Sequence, residues 1–214
     1  IGGGCVGAGV ARDAALNHLD TVLLEKGDFA EGTSSRSTKL IHAGIRYLEL
    51  AWDDFIKGNF KSAWMNLRLV IYASRERAIL QKVAPGLVKP IPLFIPVYKK
   101  DKRGMVMVFT GVIFYYLIAL FTGRSIKRPQ FLFNKKQAIK MFPDMNPDGL
   151  KGGFIYWDSV TDDQRLVMAN IKDAYRKGAK TLSRVEVLRY RYVRDKHAYK
   201  ITARDTLAGR EFIL

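Results

Sequence analysis

The residues with the clearest chemistry stand at the start of the chain, where Gly2, Gly4 and Gly7 of Gly2-Gly3-Gly4-Cys5-Val6-Gly7-Ala8-Gly9 form the spacing GxGxxG. Glycines so placed permit a tight turn, let backbone N–H groups approach a pyrophosphate, and let the following helix pack on a strand with its N-terminus toward the anion. Alone, the pattern also fits any glycine-rich turn. The context selects the nucleotide reading: Ala11 and Ala14 continue the helix with small residues, Val22-Leu23-Leu24 reads as the second strand, and Glu25 ends it eighteen residues after Gly7. A carboxylate there accepts both hydroxyls of an adenosine ribose and repels a 2′-phosphate.

A second group follows in Gly32-Thr33-Ser34-Ser35-Arg36-Ser37-Thr38-Lys39-Leu40-Ile41-His42, where five hydroxyls stand beside two cations. Such a loop can contact a pyrophosphate and a ribityl chain from the side opposite the glycines. By composition it is equally an exposed polar loop. Other chemistries lack their residues: His18, His42 and His197 are far apart, Cys5 is the one cysteine, and no HExxH, CxxC, GxSxG or GxxxxGK[ST] occurs. Neither a metal centre nor a disulfide framework is expected, and a single cysteine suits a reducing compartment.

The elements that must position these groups follow a βαβ rhythm: a strand ending at Ile1, a helix from about Cys5 to Asn17 and a strand from Thr21 to Glu25. Helical spacing recurs from about Leu48 to Val83, read as a helix pair that Pro85 ends. Pro90 to Tyr98 reads as a proline-punctuated edge strand and Gly153 to Trp157 as another, with a helix over Asp162 to Lys177 and short strands from Thr181 to Leu214, hairpinned around Arg194 to Lys196. The 214 residues, 48% of them hydrophobic, suffice for one core or for one domain with part of a second. Ile1 runs straight into glycines and Glu211 to Leu214 stops inside a strand, so both ends read as interrupted.

Glu25-Lys26-Gly27-Asp28-Phe29, the loop Gly32 to His42, and Arg46-Tyr47-Leu48-Glu49 together closely resemble the FAD-dependent glycerol-3-phosphate dehydrogenase family. Ala84-Pro85, Pro92 to Tyr98, Phe142-Pro143, Asp163-Gln164-Arg165-Leu166 and Ala169-Asn170 continue the resemblance in the same order, and it weakens between about Lys99 and Arg128. It implies FAD as cofactor and oxidation of sn-glycerol 3-phosphate to dihydroxyacetone phosphate, with hydride passing from substrate C2 to flavin N5 and electrons then to a quinone. Gly2, Gly3, Gly4, Gly7 and Glu25, with Lys26 beside it, would hold the ADP half. Thr33, Ser34, Ser35, Ser37, Lys39, Leu40 and His42 would line the flavin half, and Val185, in a strand Thr181 to Leu188, would meet the adenine through its backbone. Arg46 would bind the substrate phosphate and Tyr47 would line that pocket, a role that suits the planar, permanently charged guanidinium. The catalytic base is expected beyond Leu214.

Three positions depart from the family pattern. His18 stands where a glycine usually ends the first helix, so His18 or Asn17 must take a left-handed cap. Ala43 replaces the first of two glycines beside the expected flavin ring, and Gln164 replaces an alanine.

Charge adds a surface expectation. The net charge is +16, and Lys99 to Lys140 holds ten basic residues with Asp101 as the one acid. Between Lys99-Lys100-Asp101-Lys102-Arg103 and Arg124/Lys127/Arg128, the stretch Gly104 to Gly123 is uncharged and long enough to span a bilayer. A span inside one flavin domain would put its flanks on opposite sides of the membrane. A helix lying in the interface, basic flanks on anionic headgroups, is preferred over burial in the substrate domain. The expected location is then peripheral, at the cytoplasmic membrane face, or else the cytoplasm. Nucleic acid is not expected, since no binding motif accompanies the basic clusters.

The resulting expectation is an α/β protein: an FAD-binding, doubly wound, Rossmann-like domain of the glutathione-reductase/D-amino-acid-oxidase type with part of an antiparallel substrate domain. Residues 1–84 and 158–214 would form the flavin domain and 85–157 the insertion. A dioxygen-using glycerol-3-phosphate oxidase, an amine or amino-acid oxidase of the same superfamily, and a non-catalytic basic binding module are the alternatives.

Overall fold

Helix α1 (Cys5–Leu16) turns Ala8, Ala11 and Ala15 to one side, and α6 (Asp163–Arg176) answers with Val167, Ile171 and Ala174. Both sets repeat at helical spacing, and together with Leu23, Ala30 and Ala179 they form a single buried cluster. The alanines let the helices approach closely, while each fully buried Val or Ile contributes about 1.5–3 kcal/mol. The structure, a computed structural model, describes residues 1–123 and 127–214. Two compact units divide it: Ile1–Lys39 with Asp162–Leu214, and Leu40–Thr161.

In the first unit, β1 (Val22–Leu24) pairs in parallel with β6 (Lys180–Leu182), and α1 and α6 lead into the two strands. Strands β7 (Val185–Val193), β8 (Ala198–Asp205) and β9 (Glu211–Ile213) make an antiparallel sheet whose first hairpin turns at Arg194–Lys196, as the sequence predicts. Both helices end alike. Leu19 N–H bonds to Ala14 O and His18 N–H to Ala15 O; Ala179 N–H bonds to Ala174 O and Gly178 N–H to Tyr175 O. This double closure puts a left-handed residue at His18, φ 60°, in one helix and at Gly178, φ 102°, in the other. His18, rather than Asn17, takes the cap that the sequence left between them.

In the second unit, β5 (Leu150–Thr161) is the central strand of an antiparallel sheet. On one side it pairs along its length with β3 (Val88–Tyr98); on the other it takes β2 (Leu40–Ile41) at Ser159–Val160 and β4 (Gln130–Leu132) at Gly153–Ile155. The edge assignment for Gly153 to Trp157 is therefore wrong: Phe154 and Ile155 are buried, and strands flank them on both sides. For β3 it is right. Pro90, Pro92 and Pro96 share one parity, so their missing donors all face one side, which leaves continuous pairing with β5 only if that side is the free edge. Helices α2 (Ile45–Ile56), α3 (Phe60–Val83) and α4 (Met105–Thr122), with the short α5 (Lys135–Met141), complete the unit. The uncharged stretch is thus one continuous helix.

Candidate nucleotide site

At Gly2, φ 92°, the chain turns in a conformation that glycine adopts without strain, and the Gly2 amide hooks the turn onto Leu24 O at 2.8 Å. The Glu25 carboxylate closes the turn from the other side, accepting from the Gly3 amide at 2.7 Å and from the Gly27 amide at 2.8 Å. Each oxygen retains a lone pair for a further donor. A Cβ on Gly7 would overlap the carbonyl oxygen of Gly2, so only glycine lets α1 start this close to the turn.

The first turn of α1 offers amides with no partner inside the helix. That of Cys5 donates to Ser34 Oγ at 2.8 Å, while Val6 is 80% exposed. Two motifs that look separate in sequence therefore meet at one helix N-terminus. Ser34 belongs to a single 3-10 turn, Thr33–Ser35, in which Ser35 Oγ donates back to Gly32 O at 3.2 Å. Lys26 and Thr33 are exposed.

Ser37 and Lys39 converge on a residue not singled out for its chemistry. Asp163, at the start of α6, accepts from Ser37 Oγ at 2.6 Å and pairs with the Lys39 ammonium, which also donates to Ser35 O at 2.7 Å. The Lys39 ammonium and the Ser37 hydroxyl hold the Asp163 carboxyl well below the usual carboxylate range. An acid in the first turn of a helix was the sequence signal available for it. Val185 opens β7 instead of continuing the strand expected over Thr181 to Leu188, because Arg184, φ 60°, breaks the run. Its N–H donates to Glu25 O at 2.8 Å.

The remaining candidates lie in the second unit. Leu40 and Ile41 form β2, His42 is exposed and Ala43 is buried. Gly44, φ 77°, turns the chain into α2; a Cβ there would come within 2.7 Å of the Tyr47 ring. Arg46 and Tyr47 thus stand in the first turn of α2, whose N-terminal amides and dipole favour an anion. Among the described residues Arg46 forms no ion pair, and Tyr47 is 40% exposed. Arg103 differs, since it grips Asp53 at 2.7 Å and Glu49 at 2.9 Å. Lys127 lies 4.5 Å over the Trp157 ring, and Arg124 lies outside the described residues.

A glycine turn sealed by a carboxylate, with a hydroxyl loop at the helix N-terminus, defines a dinucleotide-binding fold. The chain belongs to the FAD dependent oxidoreductase (DAO) family, whose model matches residues 1–212. It is 38% identical over 215 residues to the alpha-glycerophosphate oxidase of Streptococcus pyogenes, covering 100% of this chain and 33% of that protein. It is 36% identical over 217 residues to the mitochondrial glycerol-3-phosphate dehydrogenase of Homo sapiens, covering 99% and 28%. The solved glycerol-3-phosphate dehydrogenase from Bacillus halodurans complexed with FAD superposes with a TM-score of 0.66 at 29% identity, covering 100% of this chain and 31% of that one. Glycine oxidase from Geobacillus kaustophilus shares the fold at a TM-score of 0.54 and 18% identity, covering 99% and 51%. The family resemblance and the fold class read from the sequence are borne out. The chain spans about a third of the length of the curated relatives it matches.

Proposed function

We propose that the full-length protein uses FAD to oxidise glycerol 3-phosphate to dihydroxyacetone phosphate. One observation carries this reading beyond the family: Arg46, without an ion-pair partner among the described residues, sits in the first turn of α2, where side chain and helix N-terminus favour the same anion. The residues present fit the cofactor. The glycine turn and the first amides of α1 would face a pyrophosphate, Glu25 keeps lone pairs for ribose hydroxyls, and Ser34 and Ser35 supply hydroxyls beside it. FAD, when bound, supplies the hydride acceptor. Leu40, His42 and Tyr47 would line the flavin and substrate, and Arg46 would hold the phosphate. In the full-length enzyme, Arg46→Ala should raise KM for glycerol 3-phosphate at least tenfold while FAD stays bound; unchanged kinetics would remove Arg46 from the site.

For the acceptor we favour a quinone. The likeness to the Streptococcus pyogenes oxidase supports dioxygen as the alternative. Hydrogen peroxide formed one for one with substrate would decide for dioxygen.

Peripheral attachment to an anionic membrane surface is a second part of this reading. Its support is the outward surface of the second unit: α4 has a mean hydropathy of 2.2 with 22% of it buried, and leaves Phe121 89% exposed. The α2–α3 elbow exposes Trp52, Phe55, Phe60 and Trp64 beside Lys57 and Lys61. Aromatic and apolar side chains flanked by lysines suit an interface. Neutralising Lys99, Lys100 and Lys102 should weaken sedimentation with anionic vesicles. Arg103 is spared because its charge is already taken by Asp53 and Glu49. Undiminished sedimentation would leave burial as the better account of α4.

A further inference from the structure

Inside the second unit, one hydroxyl has every bonding position filled. Tyr115 Oη accepts from the Ala43 amide at 3.0 Å and from Arg77 Nη1 at 3.1 Å, and donates to Asp158 Oδ1 at 2.7 Å. Arg77 and Asp158 pair directly, and Tyr115, Arg77 and Asp158 are each no more than 2% exposed. Burial pushes the Tyr115 hydroxyl up to about 12, so it keeps its proton at any working pH.

The surroundings are apolar: Leu48, Val70 and Ile118 pack with Ala43 and Tyr115 in one buried cluster. A buried ion pair in such a place is weak evidence of added stability, since well-packed apolar residues often do as well. What the pair does supply is direction. With Arg77 donating and Asp158 accepting, the hydroxyl has one orientation, and its remaining lone pair points at the amide of residue 43. That amide lies between His42 and the left-handed Gly44 that starts α2, two residues before Arg46.

We propose that Tyr115, oriented by Arg77 and Asp158, is a positioning residue that fixes the backbone of residues 42–44 and with it the placement of His42, Arg46 and Tyr47. The proposal rests on the functional reading of those three residues given above.

In the full-length protein, Tyr115→Phe keeps the ring and removes the hydroxyl. Amide hydrogen exchange across residues 42–44 should accelerate at least tenfold, the visible absorption envelope of bound flavin should shift, and KM for glycerol 3-phosphate should rise about fivefold with FAD content retained. Arg77→Met combined with Asp158→Leu serves as the second variant: it removes the pair without leaving a buried charge, so it should hold the thermal midpoint yet accelerate the same exchange. Unchanged exchange in a folded variant, or faster exchange with a wild-type flavin spectrum and KM, overturns the proposal. Wild-type protein that holds FAD but is not bleached by glycerol 3-phosphate sinks the substrate reading instead; the exchange and spectral comparisons still decide the role of Tyr115.

Discussion

The amide of Cys5 donates a 2.8 Å hydrogen bond to the hydroxyl of Ser34, twenty-nine residues further along the chain. This contact joins the helix that opens on the glycine turn to the loop expected on the far side of a pyrophosphate. Ser34→Ala removes it. It also takes away the hydroxyl proposed to meet the pyrophosphate; at a net worth of about 1 kcal/mol for that hydrogen bond, FAD affinity should fall roughly five- to tenfold, read by titrating the full-length apoprotein with FAD. Equal affinity would mean that Ser34 touches only the protein.

Gly7→Ala tests the closeness of the turn. The added methyl meets the backbone carbonyl of Gly2, whose amide is tied to Leu24 O, so neither side can give cheaply. Overpacking of this kind costs about 1–3 kcal/mol, and the displaced turn should no longer retain FAD. A variant purified with a full complement of flavin would contradict this geometry.

Asp163 sets a pH expectation. Its carboxyl is held down first by Lys39 and then by Ser37, so the folded form has the lower affinity for protons. Stability from such a group is present above the unfolded carboxylate value near 4 and is lost only as pH falls through the depressed folded value. The tether from loop 37–39 to α6 should therefore survive mild acid. Asp163→Asn should release it at every pH, making tryptic cleavage after Lys39 several-fold faster; wild-type cleavage rates in the variant would show that the loop is held elsewhere.

His18→Gly should stabilise. A non-glycine residue in the left-handed region carries about 1–2 kcal/mol of strain, partly offset by the greater chain entropy of glycine when unfolded. A net gain of about 0.5–1 kcal/mol should raise the thermal midpoint by roughly 1–4 °C. A lower midpoint would mean that the His18 side chain contributes more than its backbone costs.

Local pattern made much of this molecule legible. The glycine spacing, Glu25, α1, the helix pair before Pro85, β3 as an edge strand and the hairpin after Val193 all follow from periodicity and turn residues. Three features do not, and each depends on partners far apart in sequence. Ser37 and Lys39 meet Asp163 across more than a hundred residues, so their grouping with the other loop hydroxyls gave no hint of an ion pair. Tyr115 lies in an uncharged run and reads as one more apolar residue until Arg77 and Asp158 are placed around it. Strand β5 carries a lysine and two glycines, Lys151-Gly152-Gly153, which suggest an edge; flanking strands on both sides make it the centre.

The pairing of β1 with β6 also fixes an order of events in time. Val22 and Lys180 must meet to close the first unit, and the whole of the second unit is synthesised between them. At roughly 5–20 residues per second, the amino-terminal glycine turn waits on the order of ten to thirty seconds for its partner strand. During that interval Leu40–Thr161 has all of its own strands and can close first. A nascent chain arrested just after the second unit has cleared the ribosome should thus protect residues 40–161 from protease while residues 1–39 are still cut. The nucleotide motif is written before the second unit and completed after it.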